Sequence, residues 1–230
     1  MASGNGVVIV GAGEGLSAAV ARACHGQGRP VLLAARNVDK LADQARHLGA
    51  DLVACDATSE EQVVALFRHA DETMGTPELV LYNASRRAPG SIAELDAEAV
   101  REALMVTAFG GFLVGREASR RMLQRGSGSI FFTGASASVK GFPRSAAFGM
   151  GKFALRGLAQ SMARELGPRN IHVAHFVIDG GIARAGRGGA EVEDALLDAD
   201  AIAATYMHTH QQHRSAWSDE IAVRPWVESF

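Results

Sequence analysis

Apolar residues in this chain fall into short unbroken runs, each followed by a stretch of helical periodicity. Val7–Val10 is a β-branched run closed by glycines, which suits a strand buried on both faces. Leu16–His25 reads as a helix ended by Gly26 and Gly28, followed by a strand over Pro30–Ala35 and a helix from about Val38 to His47. Asp51–Cys55 gives a third strand, and Thr58-Ser59-Glu60-Glu61 has the form of a capping box for a helix through about Thr73. Leu79–Tyr82 is the fourth strand. A polar loop through Pro89-Gly90 then leads to a long helix, about Ala97 to Gln124, terminated by Gly126 and Gly128. Ser129–Thr133, a second long helix over Ser145–Leu166, and Ile171–Val177 continue the series, and a short strand over Ala216–Val223 closes it.

Regular alternation of apolar strands with helices predicts an α/β fold. The expected form is a Rossmann-type doubly wound parallel sheet of about seven strands with helices on both faces, its ligand site beyond the carboxyl ends of the strands. No repeat, low-complexity tract or linker interrupts the pattern, so residues 1–230 read as one domain, a length that suits a single core. After the sixth strand, Gly180, Gly181, Gly186, Gly188 and Gly189 loosen the backbone, and the segment near 179–199 reads as a lid at the sheet edge.

Composition removes several function classes. The formal net charge of −2 offers no concentrated basic surface for nucleic acid. Arg120, Arg121 and Arg125 do cluster, but near a helix end, where cations complement the macrodipole. The two cysteines, Cys24 and Cys55, make no disulfide framework and are expected to be reduced and partly buried. Met1–Gly6 has no basic leader pattern, and no stretch approaches the roughly 18 apolar residues of a membrane span, so a soluble cytoplasmic protein without a membrane partner is expected. His208, His210 and His213 lack cysteine or carboxylate companions at ligand spacing. They read as an exposed cluster near a helix end, and no metal is expected.

Candidate chemistry gathers at the predicted strand ends. Gly11, Gly13 and Gly15 lie between a strand and the helix opening at Leu16, where backbone can approach a pyrophosphate and the helix N-terminus supplies free N–H groups. A plain tight turn is the alternative. The tip of the second strand, Ala34-Ala35-Arg36-Asn37, has no carboxylate to accept from a ribose 2′-OH, and Arg36 suits a 2′-phosphate, which favours NADP(H) over NAD(H). Glu14 argues weakly the other way, and Arg36 as a solvated loop residue stays open.

Together with Asn83-Ala84-Ser85 and a Lys152 helix running into Ala163-Arg164-Glu165-Leu166-Gly167-Pro168, this glycine turn resembles the short-chain dehydrogenase/reductase family in order and spacing, from Val7 to about Gly181. The family's Gly-x-x-x-Gly-x-Gly maps onto Gly11, Gly15 and Ser17, with Ser17 departing at the last glycine. The resemblance makes Asp56 the acceptor for the adenine amino group and Asn83-Ala84 part of the cofactor loop; an Asx-turn is the alternative for each. It also implies a homotetramer or homodimer in which the two long helices pair between subunits.

The resemblance further implies a catalytic Asn, Ser, Tyr and Lys, with Tyr four residues before Lys so that ammonium and phenol share one helix face. Anchored on Lys152, the Tyr position holds Phe148, the Ser position Ala135 and the Asn position Thr107. Ser136 and Ser138 lie near the vacancy, but Ser136 is one residue out of register, and ordinary loop hydrogen bonding accounts for both. Gly149 and Gly151 sacrifice helix propensity on either side of Met150, which suggests close backbone approach by cofactor or another helix. Arg184 and Arg187 could clamp an anionic substrate or could simply be solvated. The expectation is an NADP(H)-dependent oxidoreductase acting on a small carbonyl, alcohol or activated double bond with atypical catalysis. The alternative is a nucleotide-binding pseudoenzyme serving as a sensor or non-catalytic subunit; a cofactor-free lyase of the halohydrin-dehalogenating kind is disfavoured because it too needs Ser and Tyr.

Overall fold

Strand alternation explains how one sheet feeds two cores. In β1 (Val7–Val10) the side chains of Val8 and Val10 enter the core on one face and those of Val7 and Ile9 the core on the other, and all four are buried. In the computed structural model, which describes residues 5–183 and 193–228, β2 (Val31–Ala35), β3 (Asp51–Ala54), β4 (Leu79–Tyr82), β5 (Gly128–Thr133), β6 (Ile171–Ile178) and β7 (Glu220–Val223) complete a parallel sheet. Its order is β3-β2-β1-β4-β5-β6-β7. The order reverses between β1 and β4, where Val10 pairs with both Ala34 and Tyr82, so three strand ends reach the same level at the switch point.

Helices α1 (Leu16–Gly26) and α7 (Ala199–His210) bury Val20, Cys24, Ile202 and Tyr206 against one face of the sheet, with α2 (Ala42–Leu48) beside them. On the other face α3 (Glu60–Thr73), α5 (Gly110–Arg125) and α6 (Ala146–Leu166) contribute Leu66, Phe67, Leu113, Val114, Leu155 and Ala159. Among the described residues no helix is long and apolar enough to cross a membrane.

Several local expectations shift. Ser59, not Thr58, caps α3: its hydroxyl accepts from Gln62 N at 3.3 Å, while the Gln62 side chain accepts from Asp56 N at 2.8 Å. The helix expected from Val38 opens as a 3-10 turn over Asp39–Leu41 before α2 begins. The long helix expected over Ala97–Gln124 is two helices, α4 (Ala97–Leu104) and α5, joined by a π-helical turn at Met105–Phe109. Ala216 lies in a 3-10 turn, and β7 starts later than expected, at Glu220.

The arginine cluster is internal pairing rather than dipole complement alone. Arg120 and Arg121 donate to the buried Glu117 carboxylate at 2.6 and 2.8 Å, and Arg125 donates to Thr76 O. The three histidines are not one exposed cluster: His210 is tucked against Ser129 Oγ at 2.9 Å, and burial pushes it down to about 4. Both cysteines are fully rather than partly buried, and burial raises both thiols, Cys55 to about 11. Of the expected lid, residues 184–192, with Arg184 and Arg187, lie outside the described residues; on its flanks Ile182 bridges Leu197.

Candidate functional site

The carboxyl ends of β1, β2 and β4 and the turn after β3 surround a cleft of about 520 Å³ whose lining includes Gly11, Arg36, Asp56, Asn83, Ala84 and Ser85. Gly11 takes φ +81°, and a Cβ there would run into the Ala84 backbone, so this residue permits both the turn and the close passage of the loop after β4. Side-chain positions at Gly13 and Gly15 face open space. No side chain caps the N-terminus of α1, and its first turn carries no acid, so its leading N–H groups suit an anion. Leu16 itself is buried in the core shared with α7, and its contribution toward the cleft is confined to backbone.

Ser17, where the glycine pattern is broken, is a strut. Its hydroxyl donates to Gly11 O at 3.2 Å and accepts from Asn83 Nδ2 at 2.7 Å, tying the glycine turn, α1 and the loop after β4 together. Among the described residues the Asn83 side-chain oxygen accepts no bond from the following turn, so the Asx-turn alternative does not form there. For Asp56 it does form: one carboxylate oxygen accepts from Thr58 N and Oγ1 at 2.9 and 2.8 Å. Arg36 is exposed at the rim and has no ion-pair partner among the described residues.

A second group of residues lies toward β5 and α6. Lys152 is buried, its Nζ donating to Thr133 O at 2.6 Å; burial, and secondarily the charge of Arg87, bring it down to about 7. Phe148 is buried too, with its ring centre 5.7 Å from Lys152 Nζ and 4.2 Å from Arg87 Cζ. Thr107 sits in the π-helical turn, accepting from Arg86 N at 3.2 Å and donating weakly to Arg86 O at 3.5 Å. In the same turn the Val106 carbonyl accepts from the Tyr82 hydroxyl. Gly151 explains its place by packing on the Thr107 side chain, whereas Gly149 faces open space and has no such neighbour.

Ala135 is the second residue of the loop after β5. Its N–H donates to Ser138 Oγ at 3.1 Å, so Ser138 is the loop hydrogen-bonder that its sequence position allowed. The Ser136 hydroxyl has no hydrogen-bond partner among the described residues. Behind the loop, fully buried His175 packs against Gly134 and lies 3.4 Å from Glu220, which Arg156 grips at 2.6 and 2.7 Å; burial pushes His175 down to about 4. Sequence reasoning did not find His175, Arg87 or the Ser17–Asn83 link. The one available signal was the adjacent basic pair Arg86-Arg87 just after the Asn83 loop.

Comparison with known proteins agrees with this geometry. An uncharacterized oxidoreductase of Staphylococcus aureus is 28% identical over 227 residues, covering 95% of this chain and 96% of its own. The 3-ketodihydrosphingosine reductase of Mus musculus is 29% identical over 177 residues, 73% of this chain and 53% of that protein. A short-chain dehydrogenase from Rhodopseudomonas palustris superimposes with a TM-score of 0.84 at 36% identity, covering 97% of this chain and 99% of the other. An alcohol dehydrogenase from Thermococcus sibiricus, solved with 5-hydroxy-NADP, shares the fold at 22% identity with a TM-score of 0.86, covering 97% and 98% of the two chains. The family model described as short chain dehydrogenase matches residues 5–185. This chain therefore belongs to the short-chain dehydrogenase family.

Proposed function

We propose that this chain is an NADP(H)-dependent oxidoreductase acting on a small carbonyl, alcohol or activated double bond, with catalysis that does without the usual tyrosine. The observation that carries the reading is the cleft at the switch point, where an uncapped helix start and an open glycine turn stand beside Arg36, and no carboxylate occupies the tip of β2. Similar folds solved with 5-hydroxy-NADP, NADPH and NADP support the cofactor class.

In this reading the backbone at Gly11, Gly13, Gly15 and Leu16 receives the pyrophosphate, Arg36 the 2′-phosphate and Asp56 the adenine amino group. Asn83 and Ala84 wall the cleft, and Lys152 bonds the nicotinamide ribose. The cofactor supplies or takes the hydride. A positioned general acid contributes about 10²–10⁴ in rate, roughly 3–5.5 kcal/mol, so the Phe148 site loses that much unless another group delivers the proton. In this reading Lys152, whose Nζ lies 5.7 Å from the Phe148 ring centre, is that group. Held near 7 by burial, its Nζ exchanges a proton at neutral pH, where an ordinary lysine would stay charged. Ala135 has no hydroxyl, that of Ser136 is out of register and that of Thr107 is spent on the Arg86 backbone, so these three serve as framework. The protein works in the cytoplasm as a homodimer or homotetramer.

Calorimetric titration of NADPH and NADH into the parent and Arg36→Ala tests the cofactor. NADPH is expected to bind in the micromolar range and to lose its advantage in the variant; equal affinities in the parent would sink the preference. A second reading, a nucleotide-binding pseudoenzyme acting as a sensor or non-catalytic subunit, is favoured by the three replaced positions Phe148, Ala135 and Thr107. Steady-state NADPH turnover across a carbonyl panel separates the two, since binding without turnover supports the pseudoenzyme.

A further inference from the structure

The departures at Phe148 and Thr107 meet on one short loop. Thr107 holds Arg86 by its backbone, while the Arg86 side chain is spent on Glu102 at 2.5 Å. The next residue, Arg87, is different: its guanidinium lies over the Phe148 ring, and among the described residues it makes no ion pair and no hydrogen bond. Lys152 also lies against this ring, its Nζ 5.7 Å from the centroid, and among the described residues it has no carboxylate partner and bonds the Thr133 carbonyl. The Glu220 carboxylate, which lies against His175 behind the loop after β5, is already committed to Arg156. Two basic side chains thus share one aromatic ring, and among the described residues no carboxylate pairs with either, an arrangement that a bound anion stabilises.

The ring also orients the guanidinium. Seated on an aromatic face, an arginine keeps its planar edge of N–H donors free, which is the geometry for bidentate capture of a carboxylate. A tyrosine at position 148 would present a hydroxyl here; phenylalanine presents a platform instead. We propose that Arg87, seated on Phe148 beside Lys152, is a substrate-recognition residue and that the site takes small substrates carrying a carboxylate next to the reacting carbon. The inference rests on reading this end of the sheet as the reaction site.

The test is binding, with the acids 2-oxopropanoate, 2-oxobutanoate and 2-oxopentanoate each compared with its methyl ester by calorimetry, on the protein with and without saturating NADP⁺. At least one acid is expected to bind about tenfold or more tighter than its ester, the equivalent of one charge-assisted hydrogen bond. The ratio should fall to about one in Arg87→Met and survive in part in Arg87→Lys. Acids that bind no better than esters, or a ratio unchanged in Arg87→Met, overturn the inference. So does an Arg87→Met variant whose NADPH affinity falls by the same factor, because Arg87 would then serve the cofactor. If NADPH fails to bind the parent while the acid-to-ester ratio still depends on Arg87 in the cofactor-free protein, the proposed cofactor is wrong and this assignment stands.

Discussion

Asn83 donates to the Ser17 hydroxyl at 2.7 Å across 66 residues of chain, and through it the loop after β4 holds the glycine turn in place. Ser17→Ala leaves the part-buried Asn83 amide with only its long 3.5 Å bond to Gly11 O and removes the Ser17 bond to that carbonyl. The expected cost is about 1–2 kcal/mol in urea unfolding, with weaker NADPH binding because the turn is less fixed. A variant as stable as the parent would show the link to be incidental.

Lys152 makes a distinctive contribution to stability as a function of pH. It titrates near 7 in the folded chain and near 10.4 when unfolded, so between those values the unfolded state binds more protons. The stability due to this group therefore rises as pH climbs from about 7 and is least below it. Comparing urea unfolding at pH 6.5 and 9.5, Lys152→Met should lose a rise on the order of 2–3 kcal/mol that the parent shows. Parallel profiles for the two proteins would mean that Lys152 titrates normally.

Restoring the missing hydroxyls tests the gap at Phe148. Phe148→Tyr with Ala135→Ser should increase ketone reduction more together than the product of the single changes, because each hydroxyl alone lacks its partner beside Lys152. A parent that already reduces ketones at an ordinary rate, about 1–10³ s⁻¹, would mean that an existing group serves fully as the acid.

Phe112 on α5 and Phe153 on α6 are 40% and 45% exposed, more than large aromatic residues usually tolerate facing water. Light scattering at micromolar concentration is expected to return a multiple of 24.2 kDa, and Phe112→Glu with Phe153→Glu should bring it to the single-chain mass. A parent at single-chain mass contradicts the expected homo-oligomer.

What the sequence disclosed and what it hid divide along physical lines. Val7–Val10 and Leu79–Tyr82 announced themselves because a strand buried on both faces is apolar at every residue, a local signal. Gly11 was legible because a positive φ against another backbone admits little else. Arg87 on Phe148 was not, since nothing in the neighbourhood of either residue records a meeting between loop and helix. Ser17 looked like a tolerated departure because its partner Asn83 lies three strands further along the sequence.

The π-helical turn at Met105–Phe109 carries a consequence for chain length. It holds one residue more than a continuous α-helix would, so everything after it is rotated by roughly 100° relative to α4. That offset lets Ala103 of α4 meet Ala147 of α6 while Leu113 and Val114 of α5 enter the core beneath the sheet. Deleting a single residue here would remove the extra residue and restore a continuous α-helix, leaving the downstream side chains of α5 on the faces they now occupy. Inserting a further residue, with no second wide turn to absorb it, would instead carry Val114 to the place where Gly115 now fits against Met162 and Phe132, where even a Cβ would be tight.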